Sequence, residues 1–203
     1  MSRTCRFLAA LLSGLALVLS APVCATPVSF SVTPTSFTPG SGYGTGLGQL
    51  DTAFVVTGGQ SNFSLADVGD QSTFLFGSVT LNEAFFIGQF ELDQLGVSAT
   101  FQFFDPLAGL RTVTATGTAT YGLVNDSAVD LGIDWAPLVV AFGNGGSFEL
   151  VMNTLSFTGS GQSLTQNATI RLLSAPTEVP EPATLGLVGL ALVGMGLARR
   201  RAS

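Results

Sequence analysis

Between residues 26 and 175 apolar and polar side chains alternate with a period of two, and this alternation limits the possible folds more than any other feature of the chain. Val113, Ala115, Gly117, Ala119 and Tyr121 are interleaved with an unbroken series of Thr112, Thr114, Thr116, Thr118 and Thr120. Val97, Ala99, Phe101 and Phe103 alternate with Ser98, Thr100 and Gln102. Val28, Phe30 and Val32 do so with serines, Val129, Leu131, Ile133 and Trp135 with Asp130, Gly132 and Asp134, and Ala168, Ile170 and Leu172 with Thr169 and Arg171. A strand sends successive side chains to opposite faces, so each run predicts a strand with one buried face. Further strands are predicted at 52–57, 73–81, 84–91, 138–142 and 147–157. Turn material separates them: Pro39 to Gly42, Gly58-Gly59, Asp105-Pro106, Asn125-Asp126, Gly143 to Gly146 and Gly159 to Gly161. No useful helical period appears. The expected fold is all-β, an antiparallel β-sandwich or jelly-roll-like domain of about ten short strands.

Composition then narrows the chemistry. The chain has 7 basic residues, no histidine and 2 cysteines. Five of the basic residues, Arg3, Arg6, Arg199, Arg200 and Arg201, lie near the ends, as do Cys5 and Cys24, so the domain keeps only Arg111 and Arg171. Without imidazole or thiol in the domain there is no Ser-His-Asp or Cys-His arrangement, no disulfide and no ordinary zinc site. The chain contains no lysine, which excludes a Ser-Lys dyad and a Schiff base. Nucleic acid is not an expected partner, because almost no positive charge is available to displace counterions.

What remains are carboxylates and aromatics. Asp130 and Asp134 share a predicted strand face, but four residues at about 3.3 Å each place them about 13 Å apart. Calcium needs oxygens at about 2.3–2.6 Å, so the two read as a solvated face. Asp67 and Asp70, in a predicted loop, are the one weak candidate for a metal, calcium; otherwise no cofactor is expected. No carboxylate pair is singled out for glycoside hydrolysis. Trp135 and Tyr121 fall in phase with apolar neighbours and are expected in the core, as are the phenylalanines. Tyr43, inside the Gly40–Gly48 run, is the aromatic expected to be free to stack on a ligand, on a surface loop.

The two ends carry signals of their own. Arg3 and Arg6 precede an apolar stretch from Phe7 to Leu19, and Val23-Cys24-Ala25 places small residues at −3 and −1. Residues 1–25 are therefore expected to be a signal peptide, cleaved between Ala25 and Thr26. At the other end a linker from 176 to 182 closes on Val179-Pro180-Glu181-Pro182. Its prolines fix φ and lack backbone donors, so it stays extended. Residues 183–198 follow as an uncharged apolar segment, then Arg199-Arg200-Arg201 in a basic tail, 199–203. As a helix, that segment would measure about 24 Å, short against a hydrocarbon core of about 30 Å. It is expected to be a single transmembrane sorting helix, with the arginines as a basic stop on the cytoplasmic side.

This order of Pro-Glu-Pro triplet, glycine-containing apolar helix and arginine cluster resembles the PEP-CTERM sorting signal of Gram-negative bacteria. The resemblance implies recognition by exosortase, a membrane transpeptidase-like enzyme. It also implies transient residence in the inner membrane, then delivery to the cell surface or the extracellular matrix. Proteins with this tail are associated with exopolysaccharide-producing, biofilm-forming bacteria. The expected function is accordingly a structural or adhesive matrix protein, not an enzyme, with exopolysaccharide as a candidate partner. The alternatives are a glycan-binding module and a carboxylate-dependent polysaccharide hydrolase.

Overall fold

The computed structural model describes residues 26–176. Apart from one 3₁₀ turn at Gln89–Glu91, the regular elements among them are strands. In chain order these are β1 (Val28–Pro39), β2 (Thr52–Val56), β3 (Ser61–Leu65), β4 (Gln71–Leu81), β5 (Phe86–Ile87), β6 (Gly96–Asp105) and β7 (Gly109–Ala119). They continue with β8 (Gly122–Leu123), β9 (Leu131–Trp135), β10 (Leu138–Phe142), β11 (Gly146–Met152), β12 (Leu155–Phe157) and β13 (Gln162–Ser174). A six-stranded sheet has the order β12-β9-β7-β6-β1-β3, a five-stranded sheet the order β10-β11-β13-β4-β2, and β5 and β8 form a separate ribbon. All the strand pairings are antiparallel. The all-β, antiparallel expectation holds. The signal peptide and the transmembrane segment lie outside the described residues.

The two large sheets meet through phenylalanine rings. Phe30 of β1 packs edge-on to Phe148 of β11 at 5.3 Å, and Phe101 of β6 packs against Phe76 of β4 at 4.8 Å. Phe30, Phe76, Phe101, Phe103, Phe148 and Phe157 are all fully enclosed. Burial of rings this size is the main favourable term, and the perpendicular pairings add to it. The alternation is reproduced where one face is covered. In β7, Val113 and Ala115 point inward while Thr112, Thr114, Thr116 and Thr118 face solvent. Hydroxyls link strands across these outer faces, as in Thr100 with Thr112 at 3.2 Å and Thr73 with Thr169 at 2.8 Å.

The predicted strand 147–157 is two strands in two sheets. β11 ends at Met152, the chain turns at Asn153-Thr154, and β12 pairs with β9 in the six-stranded sheet. β9 and β10 are divided between the sheets in the same way, around Ala136-Pro137. A bent hairpin therefore crosses from one sheet to the other, a way for sandwiches to turn a corner. Its pivot is a polar network centred on buried Gln166. Trp135 Nε1 donates to Gln166 Oε1 at 3.0 Å, and Gln166 Nε2 donates to Asn153 O at 2.8 Å and Asn153 Oδ1 at 3.0 Å. Trp135 lies in the core as expected.

Other expectations need correction. The predicted strand 84–91 shrinks to two residues, because Glu91 Oε2 accepts from Gly88 N at 2.6 Å and the chain coils into the 3₁₀ turn. The strand containing Leu131 starts at that residue, one place after Asp130. β3 was not anticipated. Its signal is the pair Phe63 and Leu65, two residues apart, with Phe63 stacked on Phe30 at 5.3 Å.

Candidate functional site: a loop end with exposed aromatics

Register places the connections at two opposite ends. Pro39 pairs with Val97, Thr52 and Gln162 both pair with Leu81, and Ala119 and Phe157 both pair with Leu131. Connections 40–51, 82–95, 120–130 and 158–161 therefore gather at one end, the loop end. At the other, the terminal end, Val28 pairs with Leu65 and Ser174 with Ser147. The described chain enters and leaves the sandwich there.

The loop end carries most of the exposed aromatics. Phe85, Phe90 and Tyr121 are 72%, 83% and 61% exposed, Phe86 and Leu123 are exposed in the same connections, and Leu47 is exposed in connection 40–51. The β5–β8 ribbon holds them in place, with Phe86 opposite Leu123 and Val124 N donating to Phe85 O at 3.0 Å. Ile87 and Val124, both buried, root the ribbon in the core. The rings of Phe86 and Tyr121 lie 5.1 Å apart at 85° and form a corner. Exposed apolar side chains gathered at one end make it the candidate interaction surface.

Tyr121 and Tyr43 exchange the roles expected of them. Tyr121 is exposed because β7 ends at Ala119 and Gly122, at φ 146°, turns the chain away. Tyr43 is buried, its hydroxyl donates to Leu95 O at 2.9 Å, and its ring meets Phe54 at 5.0 Å. The glycines around it allow close approach rather than mobility. Gly40 N donates to Gly96 O at 2.7 Å and Gly42 N to Gln94 O at 3.2 Å, and a Cβ on Gly42 would run into Asp93 O. Gly117, facing inward on β7, leaves the space the Tyr43 hydroxyl occupies. The expectation that the phenylalanines are core fails at Phe85, Phe86, Phe90 and Phe104.

Carboxylates surround the same end. Its four connections contain Asp51, Glu83, Glu91, Asp93, Asp126 and Asp130 and not one Arg or Lys. Asp130 is not on a solvated face as expected but 2% exposed, with Asn125 N donating to its Oδ2 at 3.4 Å. Burial pushes its carboxyl above the usual carboxylate range, the Asn125 N–H pulls it back, and the charge of nearby Asp126 adds to the rise. A carboxyl that holds its proton more tightly when folded contributes stability fully below its unfolded value, near 3.9, and loses it as pH rises through the folded value. Asp130→Asn keeps an acceptor for Asn125 N. Relative to the native chain, it is expected to gain stability as pH rises from about 3 to about 7, read from urea midpoints at each pH.

The metal candidates lie elsewhere. Asp67 and Asp70 are in the 66–70 turn at the terminal end, where Asp70 Oδ2 accepts from Ala66 N at 3.0 Å and from Asp67 N at 2.9 Å. This is a carboxylate folded onto its own turn. Among the described residues no three His, Cys, Asp or Glu side chains cluster as metal ligands. Arg171 pairs with Glu149 at 2.8 Å on the outer face of the five-stranded sheet, beside a shallow depression lined by Gln71, Val151 and Thr169. Thr26, the residue expected after signal cleavage, is the first described residue and is exposed. Ala25, Val179, Pro180, Glu181, Pro182 and Arg199 to Arg201 lie outside the described residues, and no described helix is long and apolar enough to cross a membrane.

Comparison with known families finds a PEP-CTERM protein-sorting motif at residues 178–201, starting two residues after the last described position. The motif implies an exported protein with a membrane-anchored precursor and exosortase as its processing partner. No curated protein and no solved structure matches the chain.

Proposed function

We propose that this exosortase-sorted protein is a structural, adhesive component of the cell surface or extracellular matrix, and that its loop end makes the adhesive contact with exopolysaccharide. One observation carries the reading: four of the five exposed aromatics, Phe85, Phe86, Phe90 and Tyr121, lie at the end opposite the point where the chain leaves for its sorting tail. In the membrane-anchored precursor, this is the end farther from the point where the chain departs toward the membrane. The reading assigns no catalysis to the domain. The specific observation favouring glycan contact is the exposure of Tyr121, which forms a corner with Phe86. Aromatic faces accept the apolar C–H faces of sugar rings, and polar groups around them orient the ligand.

The test uses the processed protein recovered from producing cells, cosedimented with the producer's own exopolysaccharide. The native protein is expected to sediment with the polysaccharide. Changing Tyr121 and Phe90 together to serine is expected to weaken retention by about tenfold or more, without loss of strand signal in circular dichroism. Equal retention of both proteins would remove the loop end from the reading.

A further inference from the structure

We infer that the aromatic loop end takes polysaccharide bearing free amino groups in preference to neutral or uronate-bearing chains. The inference rests on the reading of this end as the glycan contact and adds the charge of the partner.

The argument is charge complementarity around an apolar docking surface. Besides buried Asp130, five carboxylates and no basic side chain lie in the connections of the end that presents Phe85, Phe86, Phe90 and Tyr121. The domain's two arginines are placed away from it. Arg171 is held by Glu149 on the outer face of the five-stranded sheet, and Arg111 is on β7 opposite Phe101, near that strand's terminal-end start. The field over the aromatics is therefore negative and opposes uronates, sulfated sugars and anionic lipid alike. It also opposes a second copy, since a two-fold pairing through this patch would set the same carboxylates against one another.

The ring geometry favours the same partner. Phe86 and Tyr121 meet at 85°, so their two π faces line a corner rather than a flat shelf. Electron-rich faces around a corner attract an ammonium group. Glu91 is fixed next to Phe90 by its bond from Gly88 N, and Glu83 Oε2 accepts from Asp51 N at 3.3 Å, so both carboxylates are positioned by backbone. An amino sugar presents a C–H face to the rings and a cation to the carboxylates.

The experiment is calorimetric titration of the processed protein near pH 5.5, where sugar amines are protonated and ordinary carboxylates ionised. The probes are a glucosamine hexamer, its fully N-acetylated counterpart, a hexuronate and polylysine. The expected result is binding of the free-amine hexamer about tenfold tighter than the N-acetylated one, weaker in high salt, with the hexuronate weakest. Tyr121→Ala and Glu83→Gln should each weaken the free-amine hexamer several-fold, while Glu149→Gln, on the outer face of the five-stranded sheet, leaves it unchanged. Equal affinity for the N-acetylated hexamer, or tighter binding of the hexuronate, overturns the amine preference. Either result leaves the adhesive reading standing if the producer's exopolysaccharide still cosediments. Tighter binding of polylysine than of any glycan assigns the surface to a basic protein instead. Binding unaltered in Tyr121→Ala, with unchanged circular dichroism, overturns the surface itself. Failure of every glycan, the producer's exopolysaccharide included, defeats the proposed function with it.

Discussion

Replacing Trp135 with alanine is expected to destabilise the domain by about 3–5 kcal/mol, the range for deleting a large buried ring. Trp135 is the last residue of β9, where the chain begins its crossing between sheets, and its ring lies 6.3 Å from that of Phe37. The loss would have two parts. A cavity opens between the sheets, and Gln166 Oε1, in a fully enclosed side chain, loses the indole donor 3.0 Å away. The second part propagates, because Gln166 also holds Asn153, whose Oδ1 accepts from Asn167 N at 2.6 Å. Trp135→Phe separates the contributions. It keeps most of the volume, removes the donor, and should cost about 1–3 kcal/mol. Urea midpoints of the native protein and both variants provide the measurement. A near-zero loss for Trp135→Ala would mean that the corner network does not hold the two halves of the hairpin together.

That network also shows where sequence reading runs out. Alternation is legible in β6, β7 and β13 because each has one face on the core, so the period of two is imposed by burial. The apolar run Leu138 to Phe142 is legible as a strand for a related reason, since its length and β-branched content suit no other element. Alternation says nothing about which sheet a strand joins. Its phase slips by one at Asn153 and Thr154, from buried Phe148, Leu150 and Met152 to buried Leu155 and Phe157, but a slip alone does not tell a change of layer from a bulge, and it is the pairing of β12 with β9 that reveals the crossing.

The loop end was illegible for a different reason. Residue type says whether burial would be favourable, not whether space exists for it. Phe85, Phe86 and Phe90 look like core in a list, but the 82–95 connection lies beyond the sheets and roots itself with Ile87 instead. Tyr121 continues the phase of β7 in sequence and departs from it in space at the turn ending in Gly122. Tyr43 lies among glycines, which signal freedom when alone and close packing when another backbone lies across them. The outer faces of the sheets and the absence of His-based chemistry were readable from composition and period. The proposed contact surface is built from exceptions to the pattern.

Substituting Pro180, Glu181 and Pro182 together by alanine is expected to abolish release while leaving the domain folded. β13 ends at Ser174, before the family match begins at residue 178, so the change touches none of the sandwich. Each of the two prolines fixes φ and lacks a backbone donor, which sets this sequence apart from an ordinary helix-forming stretch. Alanine restores the donors and is the strongest helix former, so the distinctive recognition element is lost. The apolar run from Leu185 to Ala198 and Arg199 to Arg201 is retained, and with it the capacity to hold the chain in the inner membrane, arginines inward. Export should therefore proceed and processing should stop. Fractionation should find the native protein outside, with an intact mass that begins at Thr26 and lacks the arginine tail. The triple variant should remain in the inner membrane with the tail attached. Unchanged release of the variant, or a released native species still carrying Arg199 to Arg201, would show that the chain leaves the membrane by a route that does not read the triplet.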